Sequence, residues 1–219
     1  MPETSAWAGI QRAIWDCTTC VSDGRVASNI RQQTDVPSNA CRLLIVSLAP
    51  PFVEGVLAKQ RAKSVTNDDA DGLRKFLVEA LGPWDVLVGH GLVVLHAVKC
   101  AIGPTGGGFQ NPPRDVVDVC ASVHLAAELR TVKPRVIVTL SDRAYRALLR
   151  ALTGSQSYLP PGLRLSSVPP DSEPTAGGFR VLFDGHQAKL FTGPFMRGSQ
   201  RRAAKDAVRR AAREAGLIA

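Results

Sequence analysis

Three short apolar runs constrain the fold of this chain more than any other feature. Residues 42–48, 91–98 and 135–140 read RLLIVSL, GLVVLHAV and RVIVTL. Continuous runs of this length, rich in Val, Ile and Leu, are typical of strands that are buried on both faces of a parallel sheet. The chain is therefore expected to build its core around such a sheet.

Two further strands and five amphipathic helices are predicted around these runs. Strand patterns at 179–183 and 188–192 flank Asp184-Gly185, which is a hairpin turn signal. Ser141 is a favourable N-cap for a helix that follows the third run. Apolar residues recur at helical spacing in the segments 6–16, 69–81, 114–131, 141–152 and 199–216. The alternation predicts an α/β fold, a three-layer α/β/α domain with a mostly parallel four-stranded central sheet.

A sheet of this type also predicts where a ligand would bind. In open α/β sheets the ligand lies outside the carboxyl ends of the strands. The segments of interest are therefore those that follow Leu48, Val98, Leu140 and Phe191.

Composition narrows the choice of partner. The chain has 219 residues, of which 45% are hydrophobic, and fits one globular domain over residues 1–219. It carries 27 Lys and Arg against 19 Asp and Glu, a formal net charge of +8. Such an excess favours polyanions such as DNA, RNA or an anionic membrane without choosing among them. No oligomer signal is evident, so a monomer is expected.

The N-terminal sequence and the apolar runs predict a cytoplasmic location. The first twenty residues lack a basic stretch followed by an apolar run, the pattern of a secretory signal. No apolar stretch approaches the roughly 20 residues of a membrane span, so no membrane partner is expected. Cysteines in a reducing compartment are not expected to form disulfides.

Four of the five cysteines form a candidate metal-binding set. Cys17 and Cys20 make a C-x-x-C pair, Cys100 follows the second strand and Cys120 lies on the next predicted helix. Four thiolates can bind zinc or a [4Fe–4S] cluster, and spacing alone does not decide between them. Cysteines are also common as small buried residues, and Cys41 is predicted to be one.

Four motifs together resemble a known family. They are Cys17-Thr-Thr-Cys20, then Ser47-Leu-Ala-Pro-Pro51, then His96-Ala-Val-Lys-Cys100-Ala, and finally Cys120 ahead of Lys133-Pro-Arg-Val-Ile-Val-Thr-Leu140. Their order and spacing, from about residue 7 to residue 150, resemble the iron–sulfur uracil-DNA glycosylases called family 4 and family 5. The resemblance implies that the four cysteines hold a [4Fe–4S] cluster, with zinc as the alternative.

The family excises a damaged base. The resemblance implies an enzyme that flips uracil or another deaminated base out of DNA and hydrolyses its N-glycosidic bond. Ser47-Leu-Ala-Pro50 is nearer the family 5 pattern, which has no acid in this motif. A water is then expected to be held by the backbone of Leu48, Ala49 and Pro50, or by Asp68 or Asp71 downstream. For both aspartates the favoured interpretation is a solvated helix N-terminus.

Two pocket positions depart from the family. His96 stands where the family has Asn or Thr reading the base edge, and a histidine can donate to a carbonyl oxygen or contact another base. The alternative is a core histidine. The family's pocket phenylalanine is missing, so Phe52 is a candidate for stacking on the base, or for a core or lid role.

The last motif departs most. The family has a histidine after the final strand, whereas here no histidine follows Thr192 and His186 comes earlier. Either His186 takes over the role from a shifted position, or the reaction is weakened or altered. Met196 and Arg197 lie where the family inserts a wedge into the duplex, a task that suits an apolar side chain beside an arginine.

The C-terminal segment is strongly basic. Positions 202, 205, 209 and 213 share one face of a helix, and Arg201, Arg202 and Lys205 are candidate phosphate contacts. A solvated helix that packs its alanines inward would have the same pattern.

Three functions remain open from the sequence. The first is an iron–sulfur DNA glycosylase, and the second is a catalytically silent, cluster-bearing nucleic-acid-binding relative. The third is a zinc-bearing α/β nucleotide-binding protein, although Gly106-Gly-Gly108 lacks the ending of a phosphate-binding loop.

Overall fold

A mostly parallel sheet lies at the centre of the protein. The structure, a computed structural model, describes residues 4–22, 40–50, 72–100, 111–153, 179–193 and 200–219. Within these ranges the sheet has five strands, in the order β2-β1-β3-β5-β4. They are β1 (Leu43–Ser47), β2 (Leu92–His96), β3 (Val136–Leu140), β4 (Phe179–Phe183) and β5 (His186–Gly193). The first three coincide with the apolar runs, and their side chains are buried on both faces, apart from half-buried Ser47.

The sheet has one more strand than the four that were predicted. Strands β1, β2, β3 and β5 are parallel, whereas β4 pairs antiparallel with β5 and forms an edge. Asp184 and Gly185 both have positive φ angles, 45° and 73°. Positive φ at both central residues is the geometry of a two-residue hairpin turn, and this turn places β4 directly beside β5.

Helices cover both faces of the sheet, which confirms the three-layer α/β/α prediction. On one face lie α1 (Thr4–Asp16), α5 (Arg114–Cys120), α6 (Ala126–Val132) and α7 (Asp142–Thr153), and the short α2 (Thr19–Ser22) contributes Cys20 to the same core. On the other face lie α3 (Gly72–Leu81), α4 (Trp84–Gly89) and α8 (Arg201–Glu214). None of the helices in the described ranges is long and apolar enough to cross a bilayer.

The single helix predicted over 114–131 is interrupted. A π-helical turn at Ala121–Leu125 separates α5 from α6 and begins directly after Cys120. A π turn accommodates one extra residue and shifts the facing of the side chains that follow it. Such turns occur often at functional sites.

Candidate functional site at the carboxyl edge of the sheet

The carboxyl ends of the parallel strands place several polar side chains at one edge of the sheet. Ser47 and His96 are register partners on β1 and β2, and Thr139 and Thr192 are register partners on β3 and β5. Partners in register point to the same face. Ser47 and His96 alternate with the residues that pack on the core of the other face, so they lie on the side of α3, α4 and α8.

His96 has the most unusual environment of these residues. It is 3% exposed, and within the described ranges neither ring nitrogen has a hydrogen-bond partner. Burial, with a smaller contribution from the Lys99 ammonium, lowers the pKa of His96 to about 3. The imidazole is therefore neutral at physiological pH. It presents one N–H donor and one acceptor nitrogen, neither of which is used by the part of the chain that the structure describes.

The loop after β1 is fixed to the segment after β2. The N–H of Ala97 donates to the Ser47 carbonyl, and the N–H of Val98 donates to the Leu48 carbonyl, each at 2.8 Å. These bonds continue the pairing of the two strands for two residues beyond His96. Residues 48–50 are buried as well. The structure thus places His96, Ser47 and the segment Leu48, Ala49 and Pro50 side by side at the ends of β1 and β2.

Backbone strain marks the next position along this edge. Ser141, which follows β3, has a φ of 143°, a region that side chains other than glycine rarely occupy. Its hydroxyl accepts a hydrogen bond at 3.1 Å from the N–H of Ala144, which confirms the predicted N-cap of α7. Strained residues of this kind cluster at binding and active sites.

A buried ion pair below His96 was not anticipated from the sequence. The Lys99 ammonium donates to the Glu128 carboxylate and to the carbonyl of His96. Gln11 Nε2 donates to the other Glu128 oxygen at 3.4 Å. Lys99 and Glu128 are 4% and 1% exposed. Burial raises the pKa of Glu128, and Lys99 opposes that shift. The network ties α1 and α6 to the end of β2.

The sequence contained a signal for this pair. Lys99 directly continues a buried strand, and Glu128 lies on the inward face of an amphipathic helix. A charged residue at either place needs a buried partner. Only the fold shows that each is the partner of the other.

Three of the four predicted metal ligands converge beside this ion pair. Cys20, Cys100 and Cys120 are buried in one core cluster. Burial raises the pKa of Cys120 to about 12, and Cys100 and Cys20 are close enough to act in the same direction. The backbone N–H of Lys99 donates to the Cys120 sulfur and opposes the shift. Cys17 is half-buried, and its thiol donates to the Thr19 hydroxyl at 3.7 Å.

The donor chemistry of this set fits a metal group, but the side-chain positions do not form a closed ligand shell. Thiols are the ligands of iron–sulfur clusters and of structural zinc. All five cysteines lie in the described ranges, and none forms a disulfide. Within those ranges no group of three or more His, Cys, Asp or Glu side chains is arranged to hold a metal ion. Cys41 is buried in the core at the start of β1, as predicted.

The structure places His186 away from His96 and so does not bring the two predicted catalytic histidines together. His186 begins β5, so it lies at the amino edge of the parallel strands, about 20 Å along the strand from Thr192. There Nε2 donates to the carbonyl of Pro134 at 2.8 Å, just before β3 begins. This hydrogen bond helps to align β5 with β3, and it leaves His186 at the opposite edge from His96.

The basic face of α8 is largely used within the protein. Arg201 and Lys205 pair with Glu79 of α3 at 2.6 and 2.8 Å, and Arg209 Nε donates to the Ala80 carbonyl at 3.0 Å. Arg201 and Lys205, predicted as phosphate contacts, therefore share one carboxylate partner within the protein. Arg202 is exposed. The remaining predicted residues, Phe52, Asp68, Asp71, Met196 and Arg197, lie outside the described residues.

The Glu79 contacts lead to a pH-dependent prediction. Hydrogen bonds from Lys205 and Arg201 lower the pKa of Glu79 to about 2, below its ordinary value of 4.5. The unfolded state then binds a proton more readily, so this stabilisation is present above pH 4.5 and is lost as the pH falls towards 2. We expect Glu79→Gln to flatten this part of the stability profile, measured by thermal unfolding between pH 2 and 6.

The matched control for Glu79 is Glu214→Gln at the other end of α8. Glu214 also pairs with a lysine, Lys189, at 2.9 Å. Between pH 2 and 4.5, Glu214→Gln should leave the slope of stability against pH closer to that of the wild type than Glu79→Gln does. Equal slopes for both variants and the wild type would show that Glu79 does not hold α8 to α3 in solution.

Comparisons with known proteins do not assign this chain. No family model matches it, and no curated protein is similar to it in sequence.

Proposed function

We propose that the protein is a DNA glycosylase that excises uracil or another deaminated base by hydrolysis of the N-glycosidic bond. The observation that carries this proposal is His96, a neutral and buried imidazole at the carboxyl end of β2 that has no hydrogen-bond partner among the described residues. A polar group buried without a partner costs about 1–3 kcal/mol. A base flipped out of the duplex would satisfy it.

The chemistry assigned to His96 follows from its neutral state. A base such as uracil has carbonyl oxygens and a ring N–H along one edge. The imidazole can donate to an oxygen on which negative charge develops as the base leaves, and it need not give up a proton. A neutral imidazole that polarises a carbonyl is an established catalytic device, and a dry site strengthens the hydrogen bond.

The residues of the β1 loop would position the attacking water and the sugar. Ser47 lies beside His96 in register, and the loop of Leu48–Pro50 is held by the bonds from Ala97 and Val98. A fixed loop of this kind orients a water without a conformational cost at each turnover. The bond between the base and the sugar breaks and the base leaves with the electron pair. The water adds its oxygen to the sugar carbon, and the proton that it releases is taken up by the departed base.

Cys17, Cys20, Cys100 and Cys120 are the residues that would hold a [4Fe–4S] cluster, with zinc as the alternative. Bound there, the group would supply a cross-link between α2, α5 and the segment after β2. The convergence of Cys20, Cys100 and Cys120 supports this assignment. In this proposal the protein acts on DNA as a monomer, in the cytoplasm.

A second candidate function is a cluster-bearing nucleic-acid-binding protein that does not excise bases. The position of His186 favours it, because His186 lies at the edge opposite His96. No other histidine of the described ranges occupies the carboxyl edge: His90 precedes β2, and His124 lies in the π turn.

Base release separates the two candidates. Protein purified without oxygen is incubated with single and double strands carrying uracil, hypoxanthine or xanthine, and abasic sites are then cleaved with alkali. We expect release by the wild type and a loss of about 10²- to 10³-fold in His96→Leu, the cost of one hydrogen bond to the developing charge. His90→Leu and His186→Leu are the matched controls and should keep the activity.

Each outcome is informative. No release of any base by protein that contains iron and sulfide would exclude the glycosylase and leave the second candidate. Zinc without iron or sulfide would exclude the cluster. Release that survives in His96→Leu would remove His96 from the reaction.

A further inference from the structure

A basic groove lies on one flank of the domain, and none of the residues that line it belongs to the candidate site at the carboxyl edge. It has a volume of about 490 Å³ and runs between α5 and α7. Four exposed arginines line it, together with the two carboxylates Asp118 and Asp142. These arginines are Arg114, Arg143, Arg146 and Arg150.

The three arginines of α7 form a line. Their spacing of three and four residues places them on one face of the helix, and the opposite face packs into the core through residues such as Leu148 and Leu152. The line from Arg143 to Arg150 is about 10 Å long at 1.5 Å per residue. This face of α7 is therefore a short, straight row of positive charge.

The groove begins at the carboxyl edge of the sheet. α7 starts directly after β3 ends, and Arg114 is the first residue of α5, which follows the β2 segment. Arg143 and Arg114 thus lie at the end of the groove nearest the carboxyl edge, on the face of the sheet opposite the His96 side chain. Arg146 and Arg150 lie progressively further along the flank.

Part of this charge is already engaged. Arg146 Nε pairs with Asp142 Oδ2 at 2.9 Å, and one Arg143 nitrogen donates to the Pro112 carbonyl at 3.4 Å. The Arg146 and Asp142 side chains are 47% and 30% exposed. Arginines still outnumber carboxylates two to one in the groove. A guanidinium has five donors, so each retains capacity for an anion.

We infer that this groove binds the phosphodiester backbone of a nucleic-acid strand that leads away from the carboxyl edge. The inference rests on the proposed function for its choice of nucleic acid as the polyanion. One strand carries a charge about every 3.4 Å along the duplex axis, so a 10 Å row faces about three phosphates. The planar guanidinium fork matches phosphate oxygens. Arg201 and Lys205 of α8 share one carboxylate, Glu79, in ion pairs of 2.6 and 2.8 Å.

The test measures binding separately from base release. Fluorescence anisotropy follows a uracil-free oligothymidine strand of about 20 nucleotides, at several salt concentrations. In Arg114→Gln/Arg143→Gln we expect the affinity at about 0.1 M salt to fall about 20-fold and the salt slope to fall by about 1.4. Arg12→Gln/Arg180→Gln removes two exposed arginines elsewhere and should keep both values.

A charge-preserving pair guards against a folding defect. Arg114→Lys/Arg143→Lys should bind within about threefold of the wild type, because the electrostatic contribution depends on charge. Equal affinities for the Gln pair and its control would overturn the inference, whatever the wild type does with uracil. The inference would also be overturned if the double Gln variant bound the DNA strand normally and lost binding only to anionic phosphatidylserine vesicles. Reduced strand binding in a protein that releases no base would support the groove while removing the proposed glycosylase.

Discussion

Lys99→Met is expected to lower the free energy of unfolding by about 3–5 kcal/mol, the cost of leaving a buried charge without its partner. Lys99 is the partner of Glu128, and both side chains are almost fully buried. The substitution also removes the bond from the ammonium to the His96 carbonyl. Urea unfolding followed by circular dichroism measures the loss.

The loss should depend on pH in a defined direction. Burial already raises the pKa of Glu128, and without Lys99 nothing in the pair opposes that shift. A carboxyl whose pKa is raised in the folded state binds its proton more tightly there. The destabilisation should therefore be small near the ordinary pKa of 4.5 and grow as the pH rises. A loss that is constant from pH 5 to 8 would contradict this account.

A double variant separates the ion pair from simple packing. Glu128→Gln keeps the shape of the side chain and an acceptor for Gln11. Combined with Lys99→Met it leaves no buried charge, so most of the lost stability should return. Failure of the double variant to recover would assign the loss to the packing of the lysine stem.

His96→Leu is expected to stabilise the protein, which is unusual for a substitution in a core. At pH 7 the gain should be about 1–3 kcal/mol, because two ring nitrogens that have no hydrogen-bond partner in the described ranges are replaced by apolar atoms. Base release should be lost at the same time. Gain of stability with loss of activity is the signature of a residue kept for function.

The gain should increase as the pH falls. The pKa of His96 is about 3 in the folded protein and 6.5 ordinarily, so the unfolded chain binds the proton first. The wild type therefore loses stability between pH 6.5 and 3, by up to about 5 kcal/mol. The Leu variant lacks this loss, and the difference between the two unfolding curves isolates it from other groups.

His90→Leu provides the control for this titration. His90 is exposed in the turn before β2. The free energy of unfolding of His90→Leu should stay much closer to that of the wild type than the free energy of unfolding of His96→Leu does. If His96→Leu and the wild type also ran parallel from pH 6.5 to 3, the imidazole would have a partner or water in solution.

The two expected results concern the same structural unit. The Lys99 ammonium donates to the carbonyl of His96, and the ring nitrogens of His96 have no hydrogen-bond partner among the described residues. The backbone of His96 is thus held by a buried ion pair, while its ring is available for a hydrogen bond. Positioning of a functional ring by a rigid second set of contacts is what a precise hydrogen bond to a substrate requires.

Local pattern was sufficient for the secondary structure and the fold class. The Val, Ile and Leu runs of β1, β2 and β3 predicted strands buried on both faces, and the helical spacing around them predicted the covering layers. Both signals depend on residues that are close in sequence. The prediction that a ligand would bind at the carboxyl edge followed from the parallel arrangement of the strands alone.

Pattern was less reliable wherever a partner is distant in sequence. The row of basic residues on α8 is the same whether it faces solvent or Glu79, and only the packing of α8 on α3 distinguishes the two. The π turn after Cys120 has no periodic signal that separates it from an α-helix. The hairpin at Asp184-Gly185 was recognised, but the edge position of β4 depended on which strand lay beside β5.

The sequence by itself determined the alternation of strands and helices, the face of each helix that is buried, and the presence of a histidine at the end of β2. Only the tertiary structure decided the environment of that histidine, the meeting of Cys20, Cys100 and Cys120, and the separation of His186 from His96. The physical reason is the separation along the chain of the residues that interact. Periodicity acts within a few residues, whereas burial, pKa and pairing arise from residues as far apart as Gln11 and Glu128, 117 positions along the chain.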